Sequence, residues 1–163
     1  MTDRVIRFLE FHRKREYRNK RREIVYPEIK ADKFMQAAVN FAETVKAECP
    51  VLYPDDIFGF NRSVRNVCKF SIDSELNNFT PDYEWAISNG LGAIKTGLER
   101  RASAVAGERK AFFNGAAMHI DAVLSLAEKY RDCALKSGCM RLYEALRKVP
   151  YYGAEDYYEA LVF

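Results

Sequence analysis

Cysteine and histidine are the residues of this chain whose side chains could act as nucleophiles or bind a transition metal. The chain has four cysteines and two histidines, which are Cys49, Cys68, Cys133, Cys139, His12 and His119. No cysteines are spaced as Cys-x-x-Cys, and no histidine lies near a cysteine at the spacing of a zinc ligand. The sequence therefore predicts that the chain binds no metal.

A cysteine–histidine nucleophile pair would have to join His119 to Cys133 or Cys139. Several turns of a predicted helix separate His119 from both thiols, and no third residue is evident that would orient the histidine. A reactive thiol at Gly138-Cys139 is the alternative, but a loop that ends a helix and happens to contain a cysteine explains this pattern better. We expect no catalytic residue here.

Asp121 is the other candidate for acid–base chemistry. It lies two residues from His119, so on a helix the two side chains point about 200° apart and cannot form a pair. Asp121 is either a catalytic acid or a buried carboxylate that accepts hydrogen bonds from facing backbone or from an arginine. We favour the second interpretation, which makes Asp121 a structural residue.

The element that must position these residues is a long helix, predicted from about Arg109 to Lys136. Its apolar or small residues recur with a helical period, at Phe113, Ala116, Ala117, Ile120, Val123, Leu124, Ala127 and Ala134. Small residues in this stripe favour close contact with other helices on more than one side. We expect this helix to form the core of a mainly α fold.

Other helices are predicted from apolar periodicity and from capping residues. The first covers Ala31–Glu48, and the second begins with Thr80 as N-cap and Pro81 at its first position. Two short helices follow the core helix: one over Leu142–Val149, which stops at Pro150, and one over Glu155–Val162. Gly90 and Gly97 lie on one side of the second helix, so we expect the core helix to cross there. Val51–Tyr53 is predicted to be extended, and residues 63–79 fit a strand or an irregular connector.

The N-terminal segment is strongly basic and amphipathic. Residues 1–22 carry nine Arg and Lys against three acids, whereas the whole chain of 163 residues has a net charge of +3. A helix over residues 2–22 could be an arm for nucleic acid or a membrane surface, or a solvated helix whose apolar side covers a neighbour. We favour the solvated helix. The predicted domains are residues 1–30, the basic arm, and residues 31–163, the helical region.

The sequence shows neither a signal peptide nor an apolar run of membrane length. It therefore predicts a cytoplasmic protein with reduced cysteines and no membrane partner.

Several short motifs follow one another in a recognisable order. They are Pro50-Val51 with Pro54-Asp55-Asp56 and Gly59, then Pro81-Asp82-Tyr83-Glu84 with Gly90-Leu91 and Ile94, then Phe112-Phe113 with Ala117-Met118 and Asp121-Ala122-Val123, then Val149-Pro150 with Tyr158-Glu159-Ala160-Leu161. From about Ala31 to Phe163, their order resembles the N-terminal helical part of the pyruvate formate-lyase-like glycyl radical enzymes. Each motif alone is weak, and the first thirty residues match poorly.

This resemblance implies a helical layer around a ten-stranded α/β barrel that is not in this chain. The parent enzyme would be a lyase, acyltransferase or dehydratase of anaerobic metabolism that cleaves C–C or C–X bonds. The resemblance further implies a glycyl radical in that parent, installed by a partner activase that uses S-adenosylmethionine and an iron–sulfur cluster. A homodimeric parent is compatible with it. The chain itself would bind no cofactor.

The resemblance also assigns roles to single residues. Asn78 stands where many members have a histidine before the Pro-Asp-Tyr-Glu motif, so it is a candidate substrate-binding residue that has lost the titratable group. Gly59 and Gly90 are structural candidates, as is Asp121. No Arg-Val-x-Gly radical motif occurs, and Cys139 precedes the position of the family's catalytic cysteine. The chain would be a fragment that is not catalytic alone.

A fragment of this kind should expose apolar side chains that the barrel would cover, and we expect Phe58, Phe60, Tyr158 or Phe163 to be unusually exposed. The alternative hypothesis is a stand-alone helical binding or structural domain that uses the basic N-terminal helix. It predicts a sealed core and a functional surface on the N-terminal basic residues, which are Arg13, Arg15, Lys20, Arg21 and Arg22.

Overall fold

The computed structural model describes residues 20–22, 24–29, 33–52, 61–62, 64–66 and 81–163, together with residues 3, 5, 6, 9 and 10. The helices whose bounds it defines are α1 (Lys33–Lys46), α2 (Tyr83–Ser103), α3 (Gly107–Lys136), α4 (Met140–Leu146) and α5 (Tyr157–Val162). Four short strands are β1 (Lys20–Arg22), β2 (Pro50–Val51), β3 (Asn61–Arg62) and β4 (Val64–Asn66). The described part of the chain is therefore mainly helical, as predicted.

The 30-residue helix α3 is the centre of the fold, and its predicted position is confirmed to within two residues. It packs against α1, α2 and α4, so it has neighbours on several sides. Small residues allow the close approach, because a Cβ on Gly115 would lie 3.0 Å from the Phe34 carbonyl oxygen of α1. Ala38 of α1 and Ala134 of α3 are both fully buried. The core thus depends on close helix contact at small side chains.

Helix α1 ends against α3, where a lysine binds its last carbonyl groups. The Lys129 ammonium donates hydrogen bonds to the carbonyl oxygens of Lys46 at 2.6 Å, Val45 at 3.2 Å and Glu48 at 3.3 Å. The final carbonyls of a helix lack intrahelical partners and carry partial negative charge. One side chain of α3 therefore satisfies the end of α1 and fixes where it stops.

The first turn of α2 is capped by Asp82, whose carboxylate accepts a 2.9 Å hydrogen bond from the Trp85 amide. The prediction of Thr80 as the N-cap was therefore wrong, and Pro81 precedes the helix. An aspartate is as good a cap as a hydroxyl residue, and its negative charge also favours the helix N-terminus.

Helix α2 is interrupted at Gly90, which has φ 81° and ψ 161°. The break frees N–H groups after it and carbonyl groups before it. Residues 150–154 lie against the break: Leu91 and Gly92 donate to the carbonyl oxygens of Pro150 at 2.8 Å and Tyr151 at 2.9 Å, and Ala154 donates to Ile87 at 2.9 Å. We call this contact between residues 87–92 and 150–154 the α2 junction.

Glycine is required at the α2 junction because two backbones meet there. Cβ atoms added to Gly90, Gly92 or Gly153 would collide with backbone atoms across the junction. The sequence-based expectation that α3 crosses at Gly90 and Gly97 was therefore wrong. The Tyr151–Tyr152 backbone covers Gly90, and Gly97 faces open space. Helices α2 and α3 do pack together, as predicted, and Lys95 of α2 pairs with Asp121 of α3.

The N-terminal part contains a helix, as predicted, but that helix does not reach residue 22. Residues 3, 5, 6, 9 and 10 are helical, whereas β1 at Lys20–Arg22 pairs in parallel with β4. Backbone pairing with β4 replaces helical hydrogen bonds in that stretch. The extended conformation predicted near Val51 is confirmed by β2, which pairs antiparallel with β3.

Residues 24–29 lie along α1. The Tyr26 hydroxyl is 3.0 Å from the Thr44 hydroxyl, and the Gln36 side chain bonds to the backbone of Ile29 at 2.7 Å and of Pro27 at 2.9 Å. Ile24 is buried. The division at residue 30 stays a prediction, although contacts cross it.

The last two helices close the core at the C-terminal end of α3. Ala134, Leu142, Ala145, Val149 and Val162 form a buried cluster. Helix α4 ends at Leu146, three residues earlier than predicted, and α5 begins at Tyr157 with Asp156 as N-cap. Tyr158 and Phe163 pack against this cluster and are partly buried. The expectation of unusual exposure was therefore wrong for these two residues; Phe58 and Phe60 lie outside the described residues.

Replacing Gly153 by alanine should destabilise the fold, because the new methyl group would overlap the Ser88 carbonyl. We expect a loss of about 2 kcal/mol in the free energy of unfolding, measured by urea denaturation. Gly97→Ala is the matched control: its methyl group would meet nothing within 4 Å, so it should stabilise the helix by about 0.5–1 kcal/mol. Equal unfolding midpoints for the two variants would contradict the α2 junction.

Replacing Lys129 by methionine should destabilise the protein by about 1.5–3 kcal/mol, because methionine keeps the length of the side chain but removes its charged hydrogen bonds. Thermal melting would measure the loss. Lys136→Met is the control, since Lys136 is an exposed lysine of the same helix. If both variants melt at the same temperature, Lys129 does not hold the end of α1.

Candidate functional site

A cleft of about 410 Å³ lies beside the α2 junction, between α2, α3 and residues 147–152. Its lining combines apolar side chains with polar ones, and the polar ones are Lys95, Asp121, Ser125, Glu128, Arg131, Arg147, Lys148, Tyr151 and Tyr152. Helix α2 contributes Lys95, α3 contributes residues 121–131, and the chain after α4 contributes the rest. We call it the polar cleft.

Lys95 and Asp121 join the two walls of the polar cleft. Their ammonium and carboxylate groups are 2.6 Å apart, and Lys95 also lies 3.7 Å from Glu99. The hydrogen bond that Lys95 donates to Asp121 is the main cause that raises the pKa of Lys95. Asp121 is 53% exposed, so the prediction of a buried carboxylate was wrong. Its position on α3 faces the cleft and not the core, and its partner is a lysine.

Lys148 also lines the cleft and forms a second group of ion pairs. Its ammonium lies 2.8 Å from Glu155 and 2.9 Å from Glu159. Desolvation alone would lower the pKa of Lys148, but hydrogen bonds to both carboxylates outweigh it and raise that pKa. The pKa of Glu159 is lowered, first by the hydrogen bond from the Glu155 amide and then by Lys148. These bonds tie the start of α5 to the chain before the α2 junction.

The polar cleft has no arrangement for nucleophilic catalysis among the described residues. Among the described residues that line it, Ser125 is the only serine or cysteine, and none is a histidine. His119 lies elsewhere on α3, with Nδ1 2.8 Å from the Gly115 carbonyl oxygen and its ring stacked on Phe41 at 4.9 Å. The cleft can therefore orient or bind charged groups, but it offers no activated nucleophile.

The thiols make contacts other than a pair with His119. Cys133 Sγ lies 3.8 Å from the Pro50 carbonyl oxygen, and Cys139 Sγ lies 3.9 Å from that of Ser137. Within the described residues, no group of three or more His, Cys, Asp and Glu side chains could hold a metal ion.

Two of the four residues proposed from the sequence come together. Asp121 lines the polar cleft, and Gly90 supports the Tyr151–Tyr152 backbone that forms its wall. Asn78 and Gly59 lie outside the described residues, so their roles stay predictions. Sequence reasoning missed Lys95 and Lys148. Only the pairing of α2 with α3 brings Lys95 to Asp121, and no local spacing indicates it.

An exposed aromatic surface accompanies the α2 junction. Tyr151 and Tyr152 are 48% and 60% exposed, with ring centroids 4.8 Å apart. At the start of α2, Tyr83 and Trp85 are 61% and 47% exposed, and Tyr157 after the junction is 79% exposed. We call these five side chains the junction aromatics. For the three tyrosines near Gly153, the sequence does contain a signal: they do not recur with a helical period, so no helix is expected to bury them together.

No family model, curated protein or solved structure matches the chain. In the part of the chain that the structure describes, no helix combines the length and apolar character needed to cross a membrane.

Replacing Glu159 by glutamine should reduce stability at pH 7 by about 1 kcal/mol, since it removes a charged partner of Lys148 and of the Glu155 amide. The pKa of Glu159 is lowered from its ordinary value of 4.5, so its contribution is present above pH 4.5 and is lost as the pH falls through the lower folded value. The stability difference between the variant and the wild type should therefore shrink below pH 4.5.

Urea denaturation between pH 3 and pH 8 would measure this difference. Glu144→Gln is the control. Glu144 and its ion-pair partner Arg147 are each about 60% exposed, so their pairing should contribute little to stability at any pH. A stability loss for Glu159→Gln that stays constant across this range would contradict the role of its charge.

Proposed function

We propose that this chain is a non-catalytic helical layer that packs against another protein body. We further propose that this body is the barrel of a pyruvate formate-lyase-like glycyl radical enzyme, of which the chain forms the N-terminal helical part. The observation that carries the proposal is the set of junction aromatics, exposed beside an α2 junction that joins two of the family-like motifs.

The junction aromatics suit a protein-binding surface. Tyrosine and tryptophan bury large apolar area and keep a polar group for hydrogen bonding, and they are enriched in protein interfaces. Tyr83, Trp85 and Tyr152 are each roughly half-exposed or more, although the hydrophobic effect favours their burial. Their backbone is held by α2 and by the hydrogen bonds of the α2 junction, so little order would have to be gained on binding.

The contact between motifs also supports the proposal. Leu91, in the motif Gly90-Leu91, donates its amide hydrogen to the Pro150 oxygen of the motif Val149-Pro150 at 2.8 Å. Asp121, from the core-helix motif, pairs with Lys95 one residue beyond Ile94. Residues that carry the resemblance are thus neighbours in the fold. The family assignment rests on the order of these motifs and not on overall similarity.

In this proposal the radical chemistry belongs to the parent enzyme. The barrel would hold the radical glycine and the reactive cysteine, and a partner activase with S-adenosylmethionine and an iron–sulfur cluster would install the radical. Asn78 would approach the substrate from the helical layer. Because asparagine cannot titrate, we do not extend the proposal to a diol dehydratase. The proposed location is the cytoplasm.

Loss of the junction aromatics should reduce self-association of the isolated chain. The wild type should sediment as oligomers and bind an apolar-surface dye, because its binding surface has no partner. Trp85→Ser combined with Tyr152→Ser should shift the chain toward monomer and lower dye fluorescence severalfold. Leu135→Ser is the control, since Leu135 is 51% exposed on α3, away from the α2 junction.

A monodisperse wild-type monomer that binds no dye would contradict the binding surface. The family assignment has its own test, which is the DNA downstream of the Phe163 codon. We expect the reading frame to continue and to encode Arg-Val-x-Gly near its end. A stop codon there, with no such motif, would contradict the glycyl radical parent and leave the binding surface standing.

The second candidate function is a stand-alone binding domain that uses the basic N-terminal helix. The exposure of Val5, Ile6 and Leu9, at 39–50%, favours it, because these apolar side chains lie on one side of a basic helix. The packing of Tyr158 and Phe163 against the core favours it as well. If this candidate function is right, deleting residues 1–19 should abolish partner binding, and replacing the junction aromatics should leave partner binding unchanged.

A further inference from the structure

A second surface, separate from the α2 junction, lies at the turn between α2 and α3. It is an apolar groove of about 600 Å³ whose floor includes Phe34, Val105, Phe112 and Phe113, with Arg101 and Arg109 at its edges. We infer that this groove binds an acidic peptide segment that inserts apolar side chains. The inference does not depend on the proposed function, since none of the junction aromatics lines the groove.

The floor of the groove is an ordered aromatic cluster. The Phe112 ring meets Phe34 edge-on at 5.3 Å and Phe113 at 5.5 Å, with interplanar angles of 85° and 69°. Phe112 nevertheless remains 48% exposed. Two neighbouring rings therefore fix its orientation while half of its surface stays available. A fixed apolar surface in a concave site is suited to receive an apolar side chain.

The charged residues in and beside the groove are mostly positive. Arg101 and Arg109 line it, and Arg100 and Lys110 are their neighbours in the chain. All four are exposed, and within the described residues none of them forms an ion pair. Among the described residues that line the groove, Glu108 is the one acid. This excess of positive charge favours a partner with carboxylates beside its apolar anchors.

The position of two of these cations is unfavourable for the fold itself. Arg109 and Lys110 lie in the first turn of α3, where the helix dipole disfavours positive charge. Helix stability therefore does not account for them, whereas recognition of an acidic partner does. Such residues are typical of a surface that gives up a little stability for binding.

A peptide fits the groove better than the two obvious alternatives. Single-stranded nucleic acid needs open, flat ring faces for stacking, whereas Phe112 and Phe113 meet edge-to-face in a concave groove. The chain's own N-terminal segment carries nine basic residues within positions 1–22, so its charge would repel the edges of the groove.

Selection from a random library of about twelve-residue peptides on the immobilised full chain tests the inference. We expect enrichment of sequences in which Asp or Glu flanks aromatic or aliphatic residues. A synthetic peptide with the enriched sequence should bind the wild type, and its affinity should fall as the salt concentration rises. Fluorescence anisotropy would measure this affinity.

Charge reversal supplies the decisive comparison. The variant Arg101→Glu with Arg109→Glu should bind the selected peptide at least tenfold more weakly, and Phe112→Ala should also weaken it. The control Lys46→Glu with Lys136→Glu carries the same charge change at exposed sites outside the groove and should bind within twofold of the wild type. Circular dichroism would check that each variant keeps its helices.

Three results would overturn the inference. They are a library that enriches no acidic sequences, equal peptide affinity for the groove variant and the control, and tighter groove-dependent binding of a random single-stranded RNA pool than of the peptide. None of them depends on self-association through Trp85 and Tyr152, so the inference and the proposed function can fail separately.

Discussion

A helix that is interrupted in its middle leaves N–H and C=O groups without intrahelical partners, and burying such groups costs free energy. In this protein the break in α2 at Gly90 is closed by residues 150–154, whose backbone exchanges hydrogen bonds with Ile87, Leu91 and Gly92. This exchange fixes the chain after α4 against α2. It thereby sets the position of the polar cleft and of the junction aromatics, both of which use residues of the 150–154 segment or its neighbours.

Hydrophobic periodicity predicts the long elements of this fold well, because the apolar and small residues of α1 and α3 recur with a helical period. It does not predict the α2 junction. A glycine in a helical pattern indicates close packing but not the identity of its neighbour, so Gly90 was assigned to a crossing with α3 when it is covered by Tyr151 and Tyr152. Asp121 was expected to be buried for a similar reason, since sequence does not reveal that its side of α3 opens onto Lys95.

The described residues support binding more than catalysis. Two lysines of the polar cleft, Lys95 and Lys148, pair with carboxylates of other segments, and the thiols and His119 make contacts away from the cleft. Among the described residues, the exposed aromatic side chains, by contrast, lie at two places, the α2 junction and the groove around Phe112. A helical unit with two such surfaces is suited to hold one protein body at one surface and an acidic segment at the other.

Native-state hydrogen exchange tests the α2 junction most directly. If residues 150–154 close the break as described, the amides of Leu91, Gly92 and Ala154 should exchange about as slowly as amides in the middle of α3, because opening them requires the segment to leave α2. Exchange of these three amides at the rate of a fraying helix end, with α3 still protected, would contradict the account, since the aromatic surface would then have no fixed support.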